Sequence, residues 1–115
     1  MGHLPRNLRI TTRREIAWLL AGERVRGPDL DLYWRPVSGS EPRATCITPK
    51  FGHTSVQRNK LRRRLSDLLR KVLLSRADAA DYLVRARPTA YERGYDALEA
   101  QLRALVARME PRGPS

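Results

Sequence analysis

The stretch that most constrains the fold is residues 54–71, TSVQRNKLRRRLSDLLRK, which reads as an amphipathic helix whose apolar stripe runs out into charge. At about 100° per residue, Leu61, Leu65, Leu68, Leu69 and Val72 share one arc, as a face packed on a core requires. Toward the N-terminus the same arc reaches Arg62 and Arg58. A desolvated charge without a partner is too unfavourable to keep, so those arginines cannot be buried unpaired. The first two turns are therefore expected to project past the core, with Lys60, Arg63, Arg64, Arg70 and Lys71 covering the other side. Seven of the fifteen residues 57–71 are basic, against the single acid Asp67. Such a helix is anchored at one end and offers a polyanion a docking surface at the other.

Charge along the whole chain follows the same division. The formal net charge is +11, and all of the excess lies in residues 1–76, with 17 basic and 6 acidic residues, whereas residues 77–115 hold 6 of each. Charge dispersed for solubility would not leave the last third neutral, so the pattern indicates a nucleic-acid footprint. Arginine far outnumbers lysine, and its planar fork both grips phosphate and stacks on bases. A length of 115 residues is suited to a single domain, 1–115, with one modest core. The lone cysteine, Cys46, argues against an internal disulfide framework or a multi-thiol zinc site, and its apolar neighbours predict a reduced, buried core thiol. No run approaches the roughly eighteen apolar residues of a membrane span, and MGHLPRNLRI lacks a hydrophobic signal core, so a cytoplasmic location is expected.

Residues 1–10 read as an irregular, flexible arm. Thr12 and Glu15 then fit a capping box, hydroxyl and carboxylate each satisfying a helix N–H, and Ile16, Leu19 and Leu20 continue at helical spacing until Ala21-Gly22. Residues 24–28 read as a turn-containing approach to a strand over 30–34, where Leu30, Leu32 and Trp34 face one side and Asp31 and Tyr33 the other. Residues 36–42 form a loop suited to a hairpin, leading to a strand over 44–48. Thr54 and Gln57 predict a second capping box, and the basic helix is expected to run to about Ala77. A strand over 81–87 and a helix over 95–109 follow, the helix carrying Leu98, Leu102, Leu105, Val106 and Met109 on one face, and 110–115 is a disordered tail. The predicted class is α+β: a roughly four-stranded mixed sheet with helices packed on one face. The strand–helix–strand unit over 44–87 supplies a parallel pair.

Side-chain catalysis finds little support. His3 and His53 stand in a flexible arm and a linker, no metal-ligand spacing occurs, and Asp29 and Asp31 are expected to point to solvent. Binding finds more. Arg58, Lys60, Arg62, Arg63 and Arg64 would contact phosphates with a steep salt dependence. Asn59 could touch a base edge or a ribose, or equally stand as an early-helix polar residue without a partner. Ile16 and Leu20, with Tyr33 and basic walls from Arg9, Arg13 and Lys50, would form a floor for an extended single strand, its bases against the protein. Core packing accounts for Ile16 and Leu20 equally well. These residues alone leave open a ribosome-associated or other basic RNA-binding protein. They also leave open a DNA-binding protein, for which a dimer seam would be expected and no heptad is present.

The segment Arg58-Asn59-Lys60-Leu61-Arg62-Arg63-Arg64-Leu65 resembles the signature of the bacterial ribonuclease P protein subunit, an Arg-Asn-Arg followed by an aliphatic residue and further basic ones. Arg14-Glu15-Ile16, residues 22–27, Leu32-Tyr33, Pro49-Lys50 and residues 81–88 occur in that family's order and spacing, so the likeness spans roughly residues 4–109. It implies a protein that joins a large catalytic RNA, which with magnesium ions removes the 5′ leader of precursor tRNA. The magnesium would be bound mainly by the RNA and not tightly by the protein, which would supply no catalytic residue and be monomeric on its own. By position, the resemblance implies that Arg58, Asn59, Lys60, Arg62 and Arg63 lie at the RNA and metal-rich junction, and that Ile16, Leu20, Tyr33 and Lys50 line the leader cleft. It also implies a left-handed strand–helix–strand crossover, against the usual hand. Three positions depart from the family. Lys60 replaces the second signature arginine and loses its bidentate fork, Ile16 and Leu20 stand where aromatic residues are common, and Ser66 holds a position often basic.

Overall fold

Along the chain the elements are α1 (Arg13–Leu20), β1 (Glu23–Arg26), β2 (Leu30–Pro36), β3 (Arg43–Ile47), α2 (Ser55–Leu68), β4 (Ala80–Ala86) and α3 (Tyr95–Met109). They are seen in a computed structural model that describes residues 12–36, 42–49, 52–75 and 80–109. The expected arm over 1–10 and tail over 110–115 lie outside the described residues. The strands form one mixed sheet in the order β1-β2-β4-β3, antiparallel except for β3 against β4. The parallel pair flanking α2 is as the sequence predicts. The hairpin is not: β4 separates β2 from β3, and the tight connection joins β1 to β2 instead. In that turn Gly27 N donates to Leu30 O at 2.8 Å, and a Cβ on Gly27 would come within 2.7 Å of the same oxygen, so the close approach requires glycine.

Strand register sorts the side chains into two faces. Val25, Leu30, Leu32, Ala44, Tyr82, Val84 and Ala86 meet Leu61, Leu65 and Leu68 of α2 and Leu98, Leu102 and Leu105 of α3 in the main core. Burial of each such leucine contributes roughly 1.5–3 kcal/mol. The stripe read from the sequence is thus the anchored part of α2. It continues through a π-helical turn, Leu69–Leu73, in which Leu74 N donates to Leu69 O at 2.9 Å. The predicted extension of this helix to Ala77 passes outside the described residues after Ser75. On the opposite face, Tyr33 and Leu83 lie beneath Leu19 of α1, with Ile16 and Ile47 packed at the side. Helices therefore cover both faces, α2 and α3 together on one and α1 on the other.

The expectation that Asp29 and Asp31 point to solvent is corrected. Both are buried: Asp29 in the β1–β2 turn, against Gln101 of α3 and Arg93, and Asp31 on the central strand β2, among the arginine side chains of its neighbours. Asp31 accepts from Arg87 at 2.8 Å and Asp29 from Arg93 at 2.9 Å. Gln101 of α3 locks the turn further, its Oε1 accepting from the backbone N–H of Asp29 and Leu30 at 2.7 and 2.8 Å. The capping box of α2 is complete, Thr54 Oγ1 accepting from Gln57 N at 3.1 Å and Gln57 Oε1 from Thr54 N at 2.9 Å. In α1 only the hydroxyl half forms: Thr12 Oγ1 accepts from Glu15 N at 3.2 Å. The Glu15 carboxylate instead accepts from Arg43 of β3 at 2.7 Å, and this tie holds an eight-residue helix too short to be stable alone.

Candidate nucleic-acid interface

Internal ion pairs decide which cations remain for a ligand. The buried Asp81 takes Arg43 in a bidentate fork at 3.1 and 2.8 Å, and Asp29 and Asp31 hold Arg93 and Arg87. In the second half of the basic helix, Arg70 pairs with Asp67, and Lys71 lies 3.3 Å from Glu99, which also holds Arg103 at 2.9 Å. Earlier in α2 the pattern changes. Among the described residues, Arg58, Lys60, Arg62, Arg63 and Arg64 form no ion pair. Arg58 donates to His53 O at 2.9 Å and Arg64 to Arg93 O at 3.1 Å, contacts that orient a guanidinium without neutralising it. Val56, 75% exposed in the first turn, shows that this end stands clear of the core.

The carboxylates titrate as their partners dictate. The Tyr95 hydroxyl, then Arg70, holds the Asp67 carboxyl below its ordinary value, and Asp67 in turn pushes Tyr95 up to about 12. Glu15 is lowered chiefly by Arg43, and Asp29 by the Thr89 hydroxyl, with Gln101 and Arg93, against the opposing effect of burial. Burial pushes the Cys46 thiol up to about 11, so it stays protonated, but it is half-buried at the side of the core and not fully buried as the sequence predicts, because β3 is an edge strand.

The helical wheel divides the free cations between two flanks of α2. Arg58 and Arg62 lie on the flank toward β3, where the charge of Arg62 is felt at Cys46. Lys60 and Arg64, with Gln57, lie on the other flank, facing Tyr91 of a 3₁₀ turn, Pro88–Glu92. Asn59 and Arg63 are exposed between them.

Across the sheet, the α1 face is basic. Register places Arg24, Arg26, Arg35, Arg43 and Arg85 there with Tyr33. Leu20, 37% exposed, borders an open hollow of about 670 Å³ with Arg24, Tyr33, Arg35 and Pro36. A second hollow, about 270 Å³, lies between Arg26, Asp31, Arg85 and Arg87. Ile16 packs beside Tyr33, so the structure brings Ile16, Leu20 and Tyr33 to one face, while Arg13 is exposed at the start of α1. Tyr33 is only 3% exposed, and most of its ring is core. Arg9 and Lys50 lie outside the described residues. Arg24, Arg26 and Arg85 escaped the sequence reading, although arginines two apart in a strand (24 and 26, 85 and 87) must share a face. Trp18 is 42% exposed and carries the Arg35 guanidinium 4.5 Å above its ring, while Arg35 Nε donates to Trp18 O at 2.7 Å.

Among the described residues, no three His, Cys, Asp or Glu side chains converge to hold a metal ion. The buried carboxylates already accept from guanidinium groups, so they do not fit a magnesium site. His53 stacks on Tyr91 with ring centroids 3.6 Å apart. Among the described residues no helix is long and apolar enough to cross a membrane.

Comparison with known proteins points one way. A family model described as Ribonuclease P matches residues 4–110. A structure of a Staphylococcus aureus RNase P protein mutant with defective mRNA degradation activity superposes with a TM-score of 0.80 at 20% identity, over 91% of this chain and 90% of that one. Another S. aureus RNase P protein structure gives 0.79 at 21% identity, over 90% and 95% of the two chains. The RNase P protein from Thermotoga maritima gives 0.76 at 19% identity, over 89% and 97%. No sequence match is found among curated proteins.

Proposed function

Because the chain belongs to the ribonuclease P protein family, we propose that it binds the catalytic RNA of ribonuclease P and holds the 5′ leader of precursor tRNA while that RNA cleaves it. The observation that carries this reading is the division of charge: the buried acids are matched to internal arginines, and among the described residues the cations left over fall in two places, the first turns of α2 and the α1 face of the sheet. Arg58, Lys60, Arg62, Arg63 and Arg64 contact RNA phosphates there, and Asn59 a base edge or ribose. Their work is to screen phosphate repulsion and fix the geometry of two RNAs, which lowers the barrier without any bond to the protein.

The leader lies on the α1 face of the sheet. Leu20 and the edge of Tyr33 offer apolar contact, Ile16 supports them from within the cluster, and Arg13 with Arg9 and Lys50 supplies charge. The chain's own groups favour a non-catalytic role: Cys46 is protonated, His53 is stacked, and the buried carboxylates accept from arginines. The bond chemistry then belongs to the RNA and the magnesium it holds. A cytoplasmic protein, monomeric before assembly, suits this role. The test is reconstitution with a bacterial ribonuclease P RNA and precursor tRNA at low magnesium. Restored leader cleavage, lost on Arg62→Ala with Arg63→Ala, supports the assignment; cleavage unchanged by the protein refutes it.

A further inference from the structure

The flank of α2 turned away from β3 contains a small pocket that the leader cleft does not use. Gln57, Lys60, Leu61 and Arg64, at helical positions i, i+3, i+4 and i+7, form one wall and Tyr91 the other, around about 190 Å³. Leu61 is buried and makes an apolar floor. The tyrosine is fixed before any ligand arrives: its hydroxyl donates to Pro49 O at 2.7 Å, and His53 stacks on its ring with planes 13° apart. Gln57 is held as well, its Oε1 accepting from Thr54 N, which leaves its amide N–H groups as donors. Arg64 donates one N–H to Arg93 O and keeps the rest of its fork, and no acid lines the pocket.

A rigid aromatic wall, an apolar floor, an amide and two cations without acid partners together suit one kind of group, a flat ring joined to an anion. Size agrees, since a cavity of roughly 150 Å³ accommodates benzene. We propose that this pocket takes a single unpaired nucleobase of an RNA, stacked on Tyr91, with the adjoining phosphate between Lys60 and Arg64. The proposal rests on the RNA-binding reading above but names a different site. It lies on the α2 side of the sheet, whereas Tyr33 and Leu20 lie on the α1 side. Because the ring is already immobilised, little conformational entropy is lost on binding.

The test uses the full chain, a tetraribonucleotide, and the abasic tetramer of equal charge. Stacking on an aromatic side chain is sequence-tolerant, and its removal is expected to weaken binding roughly tenfold. Tyr91→Leu should therefore lose about tenfold for the base-bearing tetramer and nothing for the abasic one, while Tyr91→Trp keeps the preference. In the unaltered protein, the Tyr91 ring resonances should move with the base-bearing tetramer and stay in place with the abasic one, a reading that needs no variant to fold. Equal loss for both probes, or Tyr91 resonances that ignore the bases, overturns the pocket. Restored leader cleavage without base-dependent shifts removes the pocket alone. Base-dependent shifts without restored cleavage uphold the pocket and remove the ribonuclease P reading.

Discussion

Replacing Arg62 and Arg63 by alanine should flatten the salt dependence of RNA binding, and replacing Arg103 should not. The contrast follows from pairing: Arg62 and Arg63 are exposed and form no ion pair among the described residues, whereas Arg103 is held by Glu99 at 2.9 Å on α3. Each phosphate contact releases roughly 0.7–0.9 of a counterion, so the double variant should reduce the slope of log K against log salt by about 1.4–1.8. Carried down from about 1 M salt, where the release contribution vanishes, that slope means binding about 15–30-fold weaker at 0.15 M and about 70–200-fold weaker at 0.05 M. Neither substitution touches the core, so thermal stability should stay within about 0.5 kcal/mol. Fluorescence anisotropy with labelled ribonuclease P RNA over a salt series measures both slopes. A loss of affinity that is the same at every salt concentration, or an equal change of slope for Arg103→Ala, would refute the claim that unpaired cations on α2 carry the contact.

The same pairing makes Arg43 a stability residue. Arg43→Met strips the fork from the buried Asp81 and the tie from Glu15, and should lower stability by about 3–5 kcal/mol in urea melts; adding Asp81→Asn should restore much of it, and no recovery refutes the buried-charge account. Glu15, Asp29 and Asp67 titrate below their ordinary values of 4.5, 3.8 and 3.8, so the stability they contribute is present above those values and lost as pH falls through the lower folded ones. Thermal midpoints should therefore be level above about pH 5 and fall below about pH 4, with a shallower fall in Asp29→Asn; an unchanged fall counts against the pairing. Tyr95, raised to about 12, contributes stability below its ordinary value of 10 that is lost as pH rises through about 12, and Asp67→Asn should lower its phenolate titration. In the leader cleft, Leu20→Asp should weaken precursor tRNA binding and spare mature tRNA, and equal losses would remove that assignment. Leu20 is the cleaner probe, since Tyr33→Ala would also hollow out the cluster with Leu19 and Leu83 at about 3–5 kcal/mol.

Local pattern carried much of the fold. The stripe from Leu61 to Val72, the Thr54 capping box and the bounds of α3 repeat every three or four residues, and a helix needs nothing beyond its own chain to show such a period. The alternation over β2 likewise placed Tyr33 opposite Leu32. It could not reveal that α1 would cover Tyr33 or that Asp31 would be buried, because alternation separates two faces without saying what covers each. Nor could it order the strands: β4 enters between β2 and β3 from much later in the chain, against the local preference for a hairpin.

By itself, the sequence determined that an excess of positive charge resides in the first two thirds of the chain and that a helix anchored by leucines would present part of it. Which arginines are left without an acid partner was decided only by tertiary structure. Arg43 meets Asp81 across a separation of 38 residues and Arg93 meets Asp29 across 64, and no local pattern foretells such a partner. Burial makes those pairings obligatory, because a carboxylate removed from water must be matched, and the cations left unmatched are the ones proposed to meet RNA.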